Sequence, residues 1–116
     1  MFNETEVRTE LGKNLYIELY EHHVPPHIHH GIVGHVLDGH PVGGFLTALF
    51  ENNLREAFAQ ADDVNIAAMR EIVTFCYNCV PSLCLGGKSQ VASWRNQGGV
   101  MGIARAAEAE AKNANV

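Results

Sequence analysis

From Pro25 onward, apolar residues recur every three or four positions, the spacing that gathers them on one face of an α-helix. Over residues 26 to 38, Ile28, Ile32, Val33, Val36 and Leu37 form one arc, with His29 inside it and His27, His30 and His35 opposite. Pro25-Pro26 suits a helix start and Gly39 a stop. Over residues 44 to 60, Leu46, Phe50, Leu54, Ala57 and Phe58 make a second arc, widened by Phe45 and Leu49. Asn53 projects into that arc, while Asn52, Arg55 and Glu56 lie on the solvated side. A third helix, over 63 to 79, is capped by Asp62 and ended by Val80-Pro81; Ile66, Met69, Ile72, Val73, Cys76 and Tyr77 share its apolar face. A short helix over 88 to 97 turns Val91 and Trp94 inward, and Gly98-Gly99 closes it. The alanine-rich stretch from 100 to 113 carries a Glu108–Lys112 pair at i, i+4.

Residues 5 to 21 read two ways. Val7, Thr9 and Leu11 alternate with polar residues, Gly12-Lys13-Asn14 is a turn signal, and Leu15 to Tyr20 is rich in strand formers, which predicts a β-hairpin. A short helix is the competing reading. The expected fold is mainly α, a compact bundle of four to five short helices in a single domain over 1–116. Residues 22–99 form its helical core, 1–21 the hairpin of the first reading, and 100–116 a peripheral helix whose tail either frays or docks on another subunit; a homo-oligomer is expected.

Composition narrows the function classes. A chain of 116 residues holds one core, and 47% hydrophobic against 18% charged residues excludes disorder for its middle. The formal charge of −5, with eight scattered Lys and Arg, removes the usual attraction to phosphate backbones, so no DNA or RNA partner is expected. No apolar run reaches the roughly 18 residues a membrane helix needs, and Met1 to Glu6 lacks the pattern of a signal peptide. A cytoplasmic protein without a membrane partner is expected. Its three cysteines would then stay thiols.

Three features carry candidate chemistry. All seven histidines fall between positions 22 and 40, and His27 with His30, joined by His22 or His23, offers a zinc ligand set. Against it, HExxH is absent and no acidic residue precedes Asp38 in that helix; structural histidines and a pH-sensitive surface compete. Cys76 and Cys79 form a CxxC with Cys84 close behind. They sit at a helix C-terminus, where the dipole opposes thiolate formation, so core cysteines compete with a zinc site of these three and one histidine. Gly43-Gly44 opens a helix whose first amides suit a phosphate or carboxylate, with a plain tight turn as the alternative. An amide such as Asn53 on an apolar face costs about 1–3 kcal/mol if unpaired, so it cross-links the core or faces a ligand.

Several of these residues recur together. Pro41-Val42-Gly43-Gly44-Phe45-Leu46-Thr47-Ala48-Leu49, then Glu51 to Ala57, Ala61-Asp62, Tyr77-Asn78, Cys84 and Val91-x-x-Trp94 resemble a family of small uncharacterised proteins encoded by tailed bacteriophages and prophages. The resemblance covers about residues 25 to 99 and brings no assigned activity. In that family the position of Asn53 is usually Asp, that of Leu85 Trp and that of Gly87 a capping Ser; of the histidines, His29 alone looks family-like. A general base at the family's Asp has no counterpart here, since an amide does not titrate.

No catalytic residues are expected. The leading expectation is a non-enzymatic phage or prophage accessory protein in the host cytoplasm, binding a host protein or a small nucleotide signal to counter antiviral defence. Oligomeric sponges bury ligands between subunits, which by analogy sets Gly43, Gly44, Asn53, Tyr77 and Trp94 near the ligand. The alternatives are an oligomeric adaptor or virion-associated protein, and a zinc-binding module using the histidine cluster.

Overall fold

Val7, Leu11, Leu15 and Leu19 recur every four residues, and this row decides the N-terminal segment. In the computed structural model, which describes residues 2 to 114, they lie on one 18-residue helix, α1 (Glu4–Glu21). The expected hairpin is absent: Leu15 and Leu19 are buried while Ile17 between them is 44% exposed, the four-residue period of a helix, whereas a strand would set all three on one face. Asn3 caps the helix by accepting from the Glu6 amide at 3.1 Å. Gly12 sits within α1 against Leu37 rather than in a turn.

A 3₁₀ turn (Pro26–Ile28) then leads into α2 (His29–Asp38), which ends at Gly39 in the left-handed region as expected. The expected helix over 44 to 60 is two helices, α3 (Gly44–Phe50) and α4 (Leu54–Gln60). Asn52, at φ 59°, ends α3 in the manner of a Schellman motif: its amide donates to the Leu49 carbonyl at 3.2 Å, and that of Asn53 to Ala48 at 2.9 Å. Asn53 is then the N-cap of α4, its side chain accepting from the Glu56 amide at 3.2 Å. It is therefore an exposed cap rather than a buried amide on a helix face.

The expected helix over 63 to 79 also divides, at Ala68, into α5 (Asp63–Ala67) and α6 (Met69–Cys79). Asp62 caps α5 as predicted, with its Oδ1 2.7 Å from the Asn65 amide. After a second 3₁₀ turn (Ser82–Cys84) come α7 (Lys88–Gln97) and α8 (Gly99–Ala114). Two of the expected helices are thus broken in two and α1 is added, giving eight helices and no strand among the described residues. Residues 115 and 116 of the expected fraying tail lie outside the described residues.

The core gathers around α2, which packs on α1 and α8. Leu19, Ile32, Phe50, Ile72, Phe75, Val91, Trp94 and Met101 are fully buried. His35 is buried with them, not on a solvated face. Its ring stacks on Phe50 at 4.2 Å, its Nε2 donates to the Cys84 carbonyl at 2.8 Å, and its own carbonyl accepts from Trp94 Nε1 at 2.7 Å. Backbone meets backbone where α2 ends: a Cβ on Gly99, at φ 67°, would lie 2.7 Å from the Asp38 and Gly39 amides. Arg8 pairs with Asp38, and Arg105 with Glu4 at 2.9 Å, tying α1 to the end of α2 and to the middle of α8.

Candidate functional site

Splitting the α3–α4 and α5–α6 segments leaves more apolar surface than the core covers. Leu54, Phe58, Val73 and Tyr77, expected in buried arcs, are exposed. Ala48, Leu49 and Leu54 meet Met69, Val73, Tyr77 and Leu85 around an open groove of about 290 Å³. Its polar lining comes from Asn52, Asn53 and the Tyr77 side chain, and none of its lining residues is charged. At the rim, Leu54 is 68% exposed and Tyr77 86%. Such a concave apolar surface with a few fixed polar groups is the usual form of a binding site.

Of the ligand residues expected from the sequence, Asn53 and Tyr77 line this groove together. Gly43, Gly44 and Trp94 are not among its lining residues. Trp94 is 2% exposed, with its indole N–H committed to His35. Gly44 lies beneath the end of the Gln60 side chain, whose Oε1 would be 3.0 Å from a Cβ there. Leu54, Val73 and Leu85 are groove residues that the periodicity misplaced or passed over. The available signal was Asn52-Asn53, a pair suited to ending one helix and capping the next.

The histidines disperse. His27 meets Asp62 at 3.0 Å, His30 lines the furrow between α1 and α2 with Arg8 and Lys13, and His29 binds the Val24 carbonyl at 2.6 Å. His23, at φ 60°, ends α1: its amide donates to Tyr20 and that of Val24 to Leu19, a second Schellman motif. His22, Cys79 and Glu18, by contrast, converge. Their ligating atoms lie within 4.8 Å of one another, the one such group of three among the described residues.

Glu18 and His22 stand one turn apart at the end of α1, facing the last residue of α6. His22 Nδ1 donates to the Glu18 carbonyl at 2.8 Å, which turns Nε2 toward Cys79 Sγ at 3.8 Å. The Cys79 thiol in turn lies 3.5 Å from Glu18 Oε2. Burial, followed by the Glu18 carboxylate, pushes this thiol above its ordinary range. Burial pushes Cys76 and Cys84 further, to about 12, so both are inert core thiols at neutral pH. The sequence singled out His22 and Cys79 in separate ligand sets and passed over Glu18.

No helix among the described residues is long and apolar enough to cross a membrane. Comparison with family models, curated proteins and solved structures returns no match.

Proposed function

We propose that this chain is a non-enzymatic protein-binding module whose groove between α3–α4 and α6 takes the apolar face of a partner's amphipathic helix. One observation carries the reading: an open groove of about 290 Å³, without a charged lining residue, edged by large apolar side chains that solvent already reaches. Leu54 and Ala57 line the groove at i, i+3 on α4, and Val73 and Tyr77 at i, i+4 on α6. Those spacings suit anchors repeating every three or four residues on a docked helix. The chain's charge of −5 favours a partner with basic flanks.

A nucleotide has less to hold it. Phosphates call for Lys, Arg or converging amides, and the lining offers no cation. With the resemblance of residues 25 to 99 to tailed-phage proteins, we read the partner as a host protein met in an infected cytoplasm, bound to blunt antiviral defence.

The test is a pull-down from phage-infected bacterial lysate with the wild type and a Leu54→Asp/Tyr77→Ser variant, with protein and metabolite analysis of both bound fractions. A protein captured by the first and lost from the second, and displaced by its own amphipathic segment as a synthetic peptide, is the expected result. A thermal-shift panel of cyclic dinucleotides and ADP-ribose derivatives runs alongside. Stabilisation by one of these that the variant loses would overturn the reading in favour of a small nucleotide. Sedimentation showing an oligomer that the variant dissociates would give the groove to a second copy, as in an assembly adaptor.

A further inference from the structure

We propose that Glu18, His22 and Cys79 form a binding site for a borderline-soft divalent cation, zinc foremost, joining the end of α1 to the end of α6. The site is separate from the groove. Cys79 follows Tyr77 by two residues, about 200° around a helix, so the side chain that edges the groove and the thiol that faces α1 point to opposite sides.

The argument begins with distances. Zinc bonds of about 2.3 Å to sulfur and about 2.0–2.1 Å to nitrogen or oxygen, at tetrahedral angles, set ligand atoms about 3.4–3.6 Å apart. Cys79 Sγ lies 3.5 Å from Glu18 Oε2 and 3.8 Å from His22 Nε2. Those two edges need shifts of only a few tenths of an ångström. The third, Glu18 to His22, is within 4.8 Å and closes by rotation of a side chain that is 46% exposed.

The donors are also prepared. A metal-binding imidazole characteristically donates its other N–H to a carbonyl or carboxylate, which fixes tautomer and ring plane. His22 does this through Nδ1 to the Glu18 carbonyl at 2.8 Å, while Phe75 packs edge-on against the ring at 5.8 Å. One thiolate, one imidazole and one carboxylate suit zinc better than calcium or magnesium, which take oxygen donors. The cation displaces the thiol proton, which passes to solvent, and its charge offsets the pairing of thiolate with carboxylate. Three protein ligands leave the fourth position to water or an incoming ligand.

The experiment uses the full chain, reduced and purified without a histidine tag. Calorimetric titration with Zn²⁺ is expected to give one equivalent per chain, and Co²⁺ to give intense visible bands with a thiolate-to-cobalt charge-transfer band. Cys79→Ser abolishes that band, and His22→Gln and Glu18→Gln each weaken Zn²⁺ binding by at least about tenfold, the loss that even an outer-shell partner produces. His27→Gln and His30→Gln leave it unchanged. Because Glu18 and His22 are partly exposed, their variants keep the fold, checked by circular dichroism, and decide the matter if Cys79→Ser does not fold. Substoichiometric zinc, a pale octahedral cobalt spectrum, or binding that survives both His22→Gln and Glu18→Gln overturns the proposal.

Discussion

The face of α2 that meets α7 and α8 and the face of α6 that meets α4 start from the same kind of sequence, an apolar arc at helical spacing, and end differently. Around α2, helices and loop close over the arc and reach past it to His35, which has no exposed surface, while Trp94 has almost none. Along α6, Ile72, Phe75 and Cys76 are covered, while Val73 and Tyr77 on the same helix stay open. The difference lies in the neighbours. α4 buries Ala57 alone, so it supplies one methyl where α7 supplies a valine and an indole. A helix's apolar arc therefore sets how much surface is available to bury, and the size of the facing side chains sets how much is buried.

The sharpest way to break this contrast is a matched pair of truncations. Trp94→Ala removes a filled core volume and a buried hydrogen bond, and is expected to cost about 3–5 kcal/mol in urea denaturation. Tyr77→Ser, on the open side, should move stability by no more than about 0.5 kcal/mol. Comparable losses at the two positions would mean that the groove is part of the core.

The second prediction uses pH. Burial holds the His35 imidazole below its ordinary value, an effect the Cys84 hydrogen bond opposes and Arg95 reinforces. Below about pH 6.5 the unfolded chain takes up a proton that the folded one refuses. The stability this group supports is thus complete above that pH. It falls as pH drops, by up to about 1.4 kcal/mol per unit, until the lowered folded value is reached. His35→Gln retains a donor for the Cys84 carbonyl but cannot titrate. Its stability against pH should be flatter than the wild type's as pH falls below about 6.5, and an unchanged slope refutes the assignment.

The smallest effect sharpens the boundary between the two regions. Asn53→Ala removes the α4 cap and should cost about 1 kcal/mol, whereas Asn53→Asp, which also caps, should cost little. Equal losses in both variants would show that the amide does more than cap.

Much of the helical framework was legible. The ends at Gly39, Asp62, Val80-Pro81 and Gly98 follow from local chemistry and appear as expected. The breaks inside the two longer helices were not read, because periodicity passes smoothly through Asn52-Asn53 and Ala68 while backbone capping interrupts it. The N-terminal hairpin failed because a three-residue alternation outweighed the four-residue row from Val7 to Leu19. Of the candidate site, Asn53 and Tyr77 were named for polar character and position, and they do share a groove. Glu18 and His22 are an i, i+4 pair only once residues 4 to 21 are helical, which the hairpin reading hid, and their third partner Cys79 is 61 residues from Glu18, so only the α1–α6 contact completes the group.

The brevity of α4 has a further consequence. A seven-residue helix cannot persist by its own hydrogen bonds, and this one is moored to the interior by a single alanine. Its amides should exchange with solvent deuterium by local opening, long before those of α2 or α7. The wall beside the groove then moves at less expense than α2 or α7. Widths beyond the resting one become reachable while the interior stays intact, and one surface can accommodate partners of unequal girth.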